Sequence, residues 1–423
     1  MALEPMPTVQ TEILPTPEAA SAPDLRGAAW RWYDDMATVP WDLWTALPGG
    51  SAYLDPRYFQ AMAGHGKVQC RLGLLMTASG DCVGGLQMQS VLSESRTPED
   101  HLEVSAGVRL FMGILQPGGR PFQFRTLVAG QGLGTGEHAF RWHHGIPVAD
   151  RVRFTEQAFE TCAREWGIRV WMAKDFGPEL DADLGPHWSR KWQRATFDPL
   201  MVTPLDPAWT GPDDWMDALR TKARTKVRSI LARNADVTLE RLTDPARLRE
   251  LGPALIDLYD KVYGRASIVM GGLEAGDFAQ LAEQWGDDFL LVTHHFEGRL
   301  VGFHCGLHHA EPEGGTIEAY FVGFEPELNK ECALYQRMLI EFIHWGIRKH
   351  ARRVVMGRTA MEIKSTLGAV PVPMSTWVHI RLPLAMPVIR WMIRRSPPHP
   401  FKPHRAWRAE WLDRWEADGF RFN

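Results

Sequence analysis

A dense group of ionisable and hydroxyl side chains follows one short apolar run of the sequence. Residues 354–356 are all apolar, which predicts a strand buried on both faces. The side chains that follow are Arg358, Glu362, Lys364 and Ser365. A carboxylate can act as a general base and the cations can bind an anion, so we expect chemistry here. The alternative is a salt-bridged helix start, because structural ion pairs outnumber catalytic ones.

The elements before this group predict how it is positioned. Residues 316–324 are β-branched and aromatic, which predicts a strand, and residues 325–332 are polar, which predicts a loop. In residues 333–350 apolar residues recur at intervals of three and four positions, which predicts a helix. Strand, loop, helix and strand make a βαβ unit, in which ligands bind beyond the carboxyl ends of the strands. Residues 321–329 and 358–365 should therefore line one crevice.

Two runs of this region resemble a known family. EAYFVGFEPELNKECALYQRMLIEF and MGRTAMEIKSTLGAVP resemble the C-terminal half of the FemAB-like or BioF2-like group within the GNAT acyltransferase superfamily, a group associated with peptidoglycan biosynthesis or recognition. The positions that fit are Gly323, Asn329, Lys330, Tyr335, 357–360, 362–365 and 368–369. The resemblance implies an α/β fold with mixed sheets, built as tandem GNAT-like domains in a FemAB-like architecture.

An internal repeat agrees with that implied duplication. Predicted hairpins occur at residues 71–91 and again at 289–308, and a helix leads into a strand at residues 154–173 and again at 333–356. The predicted division is a disordered leader at 1–24, an N-terminal GNAT-like domain at 25–205, a C-terminal GNAT-like domain at 213–382 and a basic aromatic tail at 383–423.

A glycine motif in the first half bears on the acyl donor. Residues 131–136, QGLGTG, fit the loop that holds the pyrophosphate of coenzyme A in GNAT enzymes, but residues 137–146 favour a strand where that loop requires a helix. Residues 325–332 contain no glycine. We therefore expect poor binding of free coenzyme A, and expect Gly134 and Gly136 to tolerate alanine wherever φ is negative.

Composition limits the class of protein. The 423 residues are 45% hydrophobic and 23% charged, which is typical of a soluble chain long enough for two domains. Five cysteines are scattered without a C-x-x-C pair, which disfavours disulfides and zinc and favours a reducing cytoplasm. Uncharged apolar runs of membrane-spanning length are missing from the sequence. These features predict a cytoplasmic protein without a transmembrane segment.

Positive charge is concentrated towards the C-terminus. Residues 341–423 contain 15 Lys and Arg against 6 Asp and Glu, an excess of +9. A predicted helix at residues 215–233 carries Lys222 and Lys226 on one side, which suits an anionic substrate or tRNA, although a solvated face is an equal alternative. The tail combines Arg with Trp, so it predicts either contact with a membrane surface or, as we favour, an arm packed over the second domain.

Paired histidines raise the question of a metal. His304 and His308 lie on one face of a predicted strand and Cys305 on the other, and the spacing supplies no acidic ligand. We therefore predict no metal site, and expect His304 to serve as a general base.

Position in the predicted crevice and the family resemblance together imply an N-acyltransferase acting on a small-molecule or peptide amine. The expected catalytic residues are Glu362, His304 and Tyr320, and the expected substrate-binding residues are Arg358, Lys364, Ser365, Asn329, Tyr335, Lys222 and Lys226. The implied co-substrate is acyl-CoA or aminoacyl-tRNA, with no tightly bound cofactor. Arg358→Ala and Glu362→Ala are expected to abolish transfer without destabilising the fold.

Two alternatives stay open on the sequence. One is an aminoacyl-tRNA-dependent transferase of the cell-wall precursor type, which would contact nucleic acid through the basic C-terminal half. The other is a non-catalytic module that keeps the fold and recognises an anionic glycan or peptide, since a fold does not fix a function.

Overall fold

The structure is a computed structural model that describes residues 22–95, 122–188, 191–264, 268–312, 314–382, 385–394 and 398–420. The predicted leader lies outside these residues apart from its last three positions. Parts of the predicted tail, at 383–384, 395–397 and 421–423, also lie outside them.

The described residues form a mixed α/β structure. The strands are β1 (Ala29–Tyr33), β2 (Val68–Met76), β3 (Cys82–Ser95), β4 (Phe122–Ala129), β5 (Phe140–Trp142), β6 (Val170–Phe176), β7 (Gln193–Thr196), β8 (Leu200–Pro204), β9 (Val237–Arg241), β10 (Ile268–Met270), β11 (Phe289–Phe296), β12 (Arg299–His309), β13 (Thr316–Phe324), β14 (Arg353–Val355), β15 (Val370–Val372) and β16 (Ser375–Ile380). The helices are α1 (Trp41–Ala46), α2 (Pro56–Ala61), α3 (Val148–Trp166), α4 (Pro178–Trp188), α5 (Pro212–Ala218), α6 (Thr221–Arg233), α7 (Pro245–Tyr263), α8 (Asp277–Trp285), α9 (Pro326–Cys332), α10 (Leu334–Arg348), α11 (Met361–Thr366), α12 (Ala385–Arg394) and α13 (Ala409–Ala417).

The strands form two mixed sheets. The first has nine strands in the order β1-β2-β3-β4-β6-β16-β7, with β5 and β10 pairing additionally with β3. The second has seven strands in the order β15-β8-β14-β13-β12-β11-β9. The mixed α/β fold predicted from the sequence is confirmed.

The two sheets repeat one plan. In the first, an antiparallel meander β2-β3-β4 leads through α3 to β6, which lies parallel to β4. In the second, the meander β11-β12-β13 leads through α10 to β14, which lies parallel to β13. The predicted hairpins and the predicted duplication are therefore present in the chain.

The two halves exchange strands, and besides the two described next, β10 of the second half pairs with β3 in the first sheet. The wholly buried run Leu200–Pro204, β8, pairs with β14 and β15 in the second sheet, although the predicted boundary placed it in the first domain. The strand β16, placed by prediction in the second domain, pairs with β6 and β7 in the first sheet. Long-range pairing of this kind has no local sequence signal.

Two predicted elements differ from the structure. The loop expected at residues 325–332 is the helix α9, because Pro326 stands at its first position, where a missing N–H costs nothing. The single helix expected at 215–233 is divided into α5 and α6, since Arg220 has extended backbone (φ −65°, ψ 154°). Its N–H donates to the carbonyl of Ala406 at 2.7 Å, so the break accommodates the tail.

Apolar packing joins the two halves. One core, which includes Tyr53 and Tyr58 from the first half and Phe278 and Tyr320 from the second, fills the space between the sheets. A separate core lies under α6 and α10 and includes Trp407 of the tail. Residues 401–420 of the tail thus pack over the second domain, whereas α12 packs against β7 and β16 of the first sheet. Among the described helices, none has the length and apolarity needed to span a membrane.

Candidate active site

A crevice opens in the second sheet where two parallel strands diverge. The last paired residues of β13 and β14 are Glu318 and Val355. Beyond them β13 continues to Phe324, while β14 ends and the chain turns at Gly357, which has φ 72°. In such sheets ligands bind beyond the carboxyl ends of strands, so this divergence is the natural place for a site.

A bulge interrupts β13 beside the crevice. Phe321 pairs with Cys305 and Ala319 with Gly306, so Tyr320 is an extra residue on β13. Alternation along the strand places Glu318 and Tyr320 on one face, and Tyr320 packs in the core that contains Tyr53 and Tyr58 of the first half.

Glu318 is the most unusual carboxyl group of this region. It is only 5% exposed, and among the described residues the charges of Arg353 and Glu311 act on its carboxyl group without a hydrogen bond to it. Burial raises its pKa from an ordinary value of 4.5 to about 8. An unpaired buried acid with such a pKa is suited to accept a proton near neutral pH. The sequence analysis missed Glu318, although an acid inside the apolar run TIEAYFVGF was a usable signal.

Tyr320 belongs to an aromatic cluster that crosses between the two halves. Its hydroxyl lies 2.9 Å from that of Tyr58, and its ring lies 5.7 Å from that of Tyr53, centroid to centroid. Burial raises the pKa of Tyr320 well above 10, so the phenol keeps its proton. The predicted catalytic tyrosine is thus a protonated phenol whose hydroxyl is shared with Tyr58 of the first half.

His304 lies on the other face of the sheet. Its ring is fully buried, its Nδ1 lies 2.9 Å from Nε2 of His294, and it packs against Phe342 of α10. Burial lowers the pKa of His304 to about 4. The structure therefore separates His304 from Glu318 and Tyr320 by the thickness of the sheet.

Arg358 makes an ion pair with Asp175, a fully buried residue at the end of β6. Asp175 also contacts Lys174 Nζ at 2.5 Å and accepts a hydrogen bond from the N–H of Gly136 at 3.0 Å. Burial alone would raise the pKa of Asp175, but Lys174 and Arg358 hold it below its usual value. Arg358 thus binds the first half of the chain to the rim of the crevice.

The glycine motif completes this contact between the halves. It leads into the strand β5, as expected, and not into a helix. A Cβ added to Gly134 would lie 2.6 Å from the ring of Tyr53, and Gly136 has φ 134°. Gly136 therefore falls outside the expectation, which applied only where φ is negative, and alanine at Gly134 would require the ring of Tyr53 to move. The motif serves close packing against Tyr53 and Asp175.

The helix α11 divides its polar residues between two surroundings. Glu362 is exposed and lines an open cleft of about 540 Å³ together with Asp198, Thr359, His399 and others. Lys364 is 2% exposed and has no hydrogen-bond or ion-pair partner among the described residues. Burial lowers the pKa of Lys364 to about 7. Lys364 is therefore a buried amine that an incoming anionic group could pair with.

The remaining predicted site residues on these helices have structural partners. Ser365 donates from Oγ to the carbonyl of Glu362 at 2.9 Å and accepts from the N–H of His404 at 3.1 Å, which fastens the tail. The carbonyl oxygen of the Asn329 side chain accepts from the N–H of Tyr335 at 3.0 Å and so caps α10. These hydrogen bonds hold α10 and the tail in place beside the crevice.

The basic helix lies away from the crevice. Lys222 and Lys226 are exposed on α6, as predicted, and its buried residues Val227 and Ile230 pack in the core on the His304 side of the sheet. The structure therefore does not bring these lysines together with Glu318.

One group of potential metal ligands occurs in the described part of the chain. It consists of His65, Glu274 and Asp277. Nδ1 of His65 accepts from the N–H groups of Lys67 and Val68, so its Nε2 carries the hydrogen and faces the carbonyl of Gly272 at 3.1 Å. These contacts are those of a structural network.

Comparison with known proteins gives a family for part of the chain. Residues 218–365 match the family described as an acetyltransferase (GNAT) domain. No curated protein matches the sequence.

Several solved structures resemble the fold at low sequence identity. FemX is 10% identical, with a TM-score of 0.47, covering 83% of this chain and 97% of its own. A tandem GNAT protein from the clavulanic acid biosynthesis pathway is 13% identical, with a TM-score of 0.46, covering 84% and 99%. Saccharomyces cerevisiae N-myristoyltransferase is 10% identical, with a TM-score of 0.49, covering 83% and 79%.

Proposed function

We propose that this chain, whose residues 218–365 match the GNAT acetyltransferase family, is an N-acyltransferase and that its general base is Glu318. The observation that carries this proposal is the unpaired, buried carboxyl group at the point where β13 and β14 diverge. Neither His304, on the far face of the sheet, nor Glu362, in the outer cleft, has this placement.

The reaction follows from the groups that face the crevice. Glu318 takes a proton from the ammonium form of the acceptor, and the free amine attacks the acyl carbonyl. A C–N bond forms and the bond from the acyl carbon to its carrier breaks, with the carrier leaving as a thiol or alcohol after it gains a proton. Tyr320, whose phenol stays protonated, donates a hydrogen bond to the developing oxyanion.

Lys364 would bind an anionic part of the donor or acceptor. Its amine is buried without a partner in the described part of the chain, and a carboxylate or phosphate beside it would favour the charged form and offset the cost of burial. Arg358 acts indirectly, because its ion pair with Asp175 sets the position of the first half against the crevice.

The donor is the less defined substrate. The helix α9 replaces a glycine-rich cradle before α10, and Asn329 already occupies one N–H of the first turn of α10. Both features support weak binding of free coenzyme A. Aminoacyl-tRNA is a second candidate donor, favoured by the exposed lysines of α6, and a cell-wall precursor would then be a suitable acceptor.

The test uses the full chain with two sets of donors. Acyl-CoA thioesters and aminoacyl-tRNAs are each incubated with a panel of primary amines, and N-acylated products are identified by mass spectrometry. We expect product from the natural chain and none from Glu318→Gln. Equal product from both proteins would refute the assignment of the base. Small molecules that co-purify with the chain, identified in the same way, would narrow the panel.

A further inference from the structure

We propose that Tyr58, in the first half of the chain, is a positioning residue for the active site of the second half. Its hydroxyl donates a hydrogen bond to the hydroxyl of Tyr320 and so leaves the proton of Tyr320 free for the acyl oxygen. The inference rests on the proposed function, because it requires Tyr320 to donate a hydrogen bond to the oxyanion during transfer. The first half of the chain thereby takes part in the chemistry of the second.

The two hydroxyl groups meet inside the core that joins the halves. They lie 2.9 Å apart, and both side chains are buried. Among the described residues, neither hydroxyl has another hydrogen-bond partner. Because a buried hydroxyl without a partner costs free energy, Tyr58 and Tyr320 depend on each other.

The pair holds one proton more than the bond between the two hydroxyls uses. Burial raises the pKa of Tyr58 and that of Tyr320 above the ordinary value of 10, so both phenols stay protonated. The hydroxyl that accepts the shared hydrogen bond keeps its own proton for a third group. Tyr320 lies where β13 runs beyond its pairing with β14, so a negative oxygen in the crevice favours donation from Tyr58 to Tyr320. Hydrogen bonds in such a chain polarise and strengthen one another.

The helix α2, which carries Tyr58, is fastened to the second half of the chain. Asp55 caps α2 by accepting from the N–H of Arg57 at 2.9 Å. The guanidinium of Arg57 pairs with Asp288 at 3.1 Å and lies 4.0 Å from the ring centroid of Trp285, both in the second half. A group that orients another must itself be held by its surroundings, and these contacts supply that support next to Tyr58.

The glycine motif supports the same pair. The ring of Tyr53 lies 5.2 Å from that of Tyr58 and 5.7 Å from that of Tyr320, centroid to centroid. Gly134 leaves the room that Tyr53 occupies, since a Cβ there would lie 2.6 Å from its ring. The motif, which leads into a strand and not into the helix of a pyrophosphate loop, thus packs Tyr53 beside the two hydroxyls.

The experiment measures kcat and KM with the donor and amine that the mass-spectrometry screen identifies. The proteins are the natural chain, Tyr58→Phe, Tyr320→Phe and the double variant. Tyr320→Phe should lower kcat about 10²-fold, the usual effect of losing an oxyanion donor. Tyr58→Phe should lower kcat about three- to tenfold and leave KM unchanged, because the hydrogen bond it supports acts only in the transition state. The double variant should lose no more than Tyr320→Phe alone, since Tyr58 acts through Tyr320.

A matched control removes a different hydroxyl from the same core. The ring of Tyr259 packs against Tyr263 and Phe321, and Tyr259→Phe should leave kcat unchanged. The inference is overturned if Tyr58→Phe has the kcat of the natural chain, or if its loss multiplies with that of Tyr320→Phe, as independent structural effects do. Full kcat in Tyr320→Phe would refute the oxyanion donor of the proposed function, and absence of product from the natural chain would refute that function as a whole. The inference falls with either of these two results.

Discussion

The two halves of the chain differ in how their buried polar residues are paired around the point where the two parallel strands of each sheet diverge. In the first half, Asp175 at the end of β6 is paired with Lys174, Arg358 and the N–H of Gly136. In the second half, Glu318 and Lys364 are buried without a hydrogen bond or ion pair to any residue that the structure describes. Because an unpaired buried group costs free energy, its retention indicates a use, whereas a satisfied network needs only a structural reason. The same sheet topology thus carries a paired network around Asp175 in the first half and the proposed active site in the second.

The largest effect should come from removing the unpaired acid. Glu318→Gln should reduce the rate of transfer about 10²- to 10⁴-fold, because a general base contributes this much. The measurement is kcat/KM with the acyl donor and amine identified by mass spectrometry. Glu362→Gln, which changes the exposed acid of the outer cleft, is the matched control and should have a smaller effect. If the control variant is inactive and Glu318→Gln is active, the base lies in the outer cleft.

Breaking the satisfied network should cost stability. Arg358→Ala leaves the carboxylate of Asp175 with one cation fewer in a fully buried place, so we expect a loss of about 3 kcal/mol in the free energy of unfolding. This expectation replaces the one drawn from the sequence, in which Arg358 was a free substrate ligand. Urea unfolding measures it. Arg247→Ala breaks an exposed pair with Glu250 and should cost less than about 0.5 kcal/mol. Equal losses of unfolding free energy in the two variants would show that the buried pair of Arg358 is worth no more than an exposed one.

Removing the unpaired amine should stabilise the fold. Lys364 has a pKa of about 7 in the folded chain and an ordinary value of 10.5, so below pH 7 the folded state carries the full cost of a buried charge. Lys364→Met should therefore gain about 3 kcal/mol at pH 6, and the gain should shrink as pH rises from 7 to 10.5. Urea unfolding at pH 6 and pH 9 tests this. A gain that does not vary with pH would show that the amine is not buried as a lone charge.

The pH dependence of transfer should follow Glu318. Its pKa of about 8 means that the carboxyl group is protonated at lower pH, so kcat/KM should rise about tenfold per pH unit up to pH 8 and then level off. Residual activity of Glu318→Gln should lack this rise. A natural chain with a flat profile between pH 6 and pH 8 would argue against Glu318 as the base.

The smallest effects concern the donor. Calorimetry should show no micromolar binding of free coenzyme A, because α9 takes the place of a glycine-rich cradle. Micromolar coenzyme A binding would make acyl-CoA the donor.

If the donor is carried on tRNA, Lys222→Glu with Lys226→Glu should weaken tRNA binding and reduce its salt dependence. Unchanged tRNA affinity at low salt would exclude α6 as the contact.

Local patterns in the sequence predicted most of the secondary structure. The hairpins, β13, α10 and the strand after the glycine motif follow from alternation and from spacing at three and four, and all are present. The exchange of β8 and β16 could not be predicted, since each strand pairs with residues far away in the chain.

The sequence predicted the crevice beyond two parallel strands, but not the partners of the residues around it. The divergence of β13 and β14 is where the predicted crevice lies, and Tyr320 faces it. Glu318 was missed because it was counted only as a residue of the predicted strand. The partners of Arg358 and Ser365 come from distant parts of the chain. Spacing identifies which groups are near each other locally, but not which of them are already satisfied.

The strand exchange also affects how the chain folds as it leaves the ribosome. The strand β6 keeps an open edge, and β7 lacks a partner strand, until Ser375–Ile380 has been synthesised. The first sheet therefore cannot be completed until about nine-tenths of the 423 residues have been made. Until then its exposed edge is a site for wrong pairing, so truncation before β16 should yield an aggregating fragment in place of a stable first half.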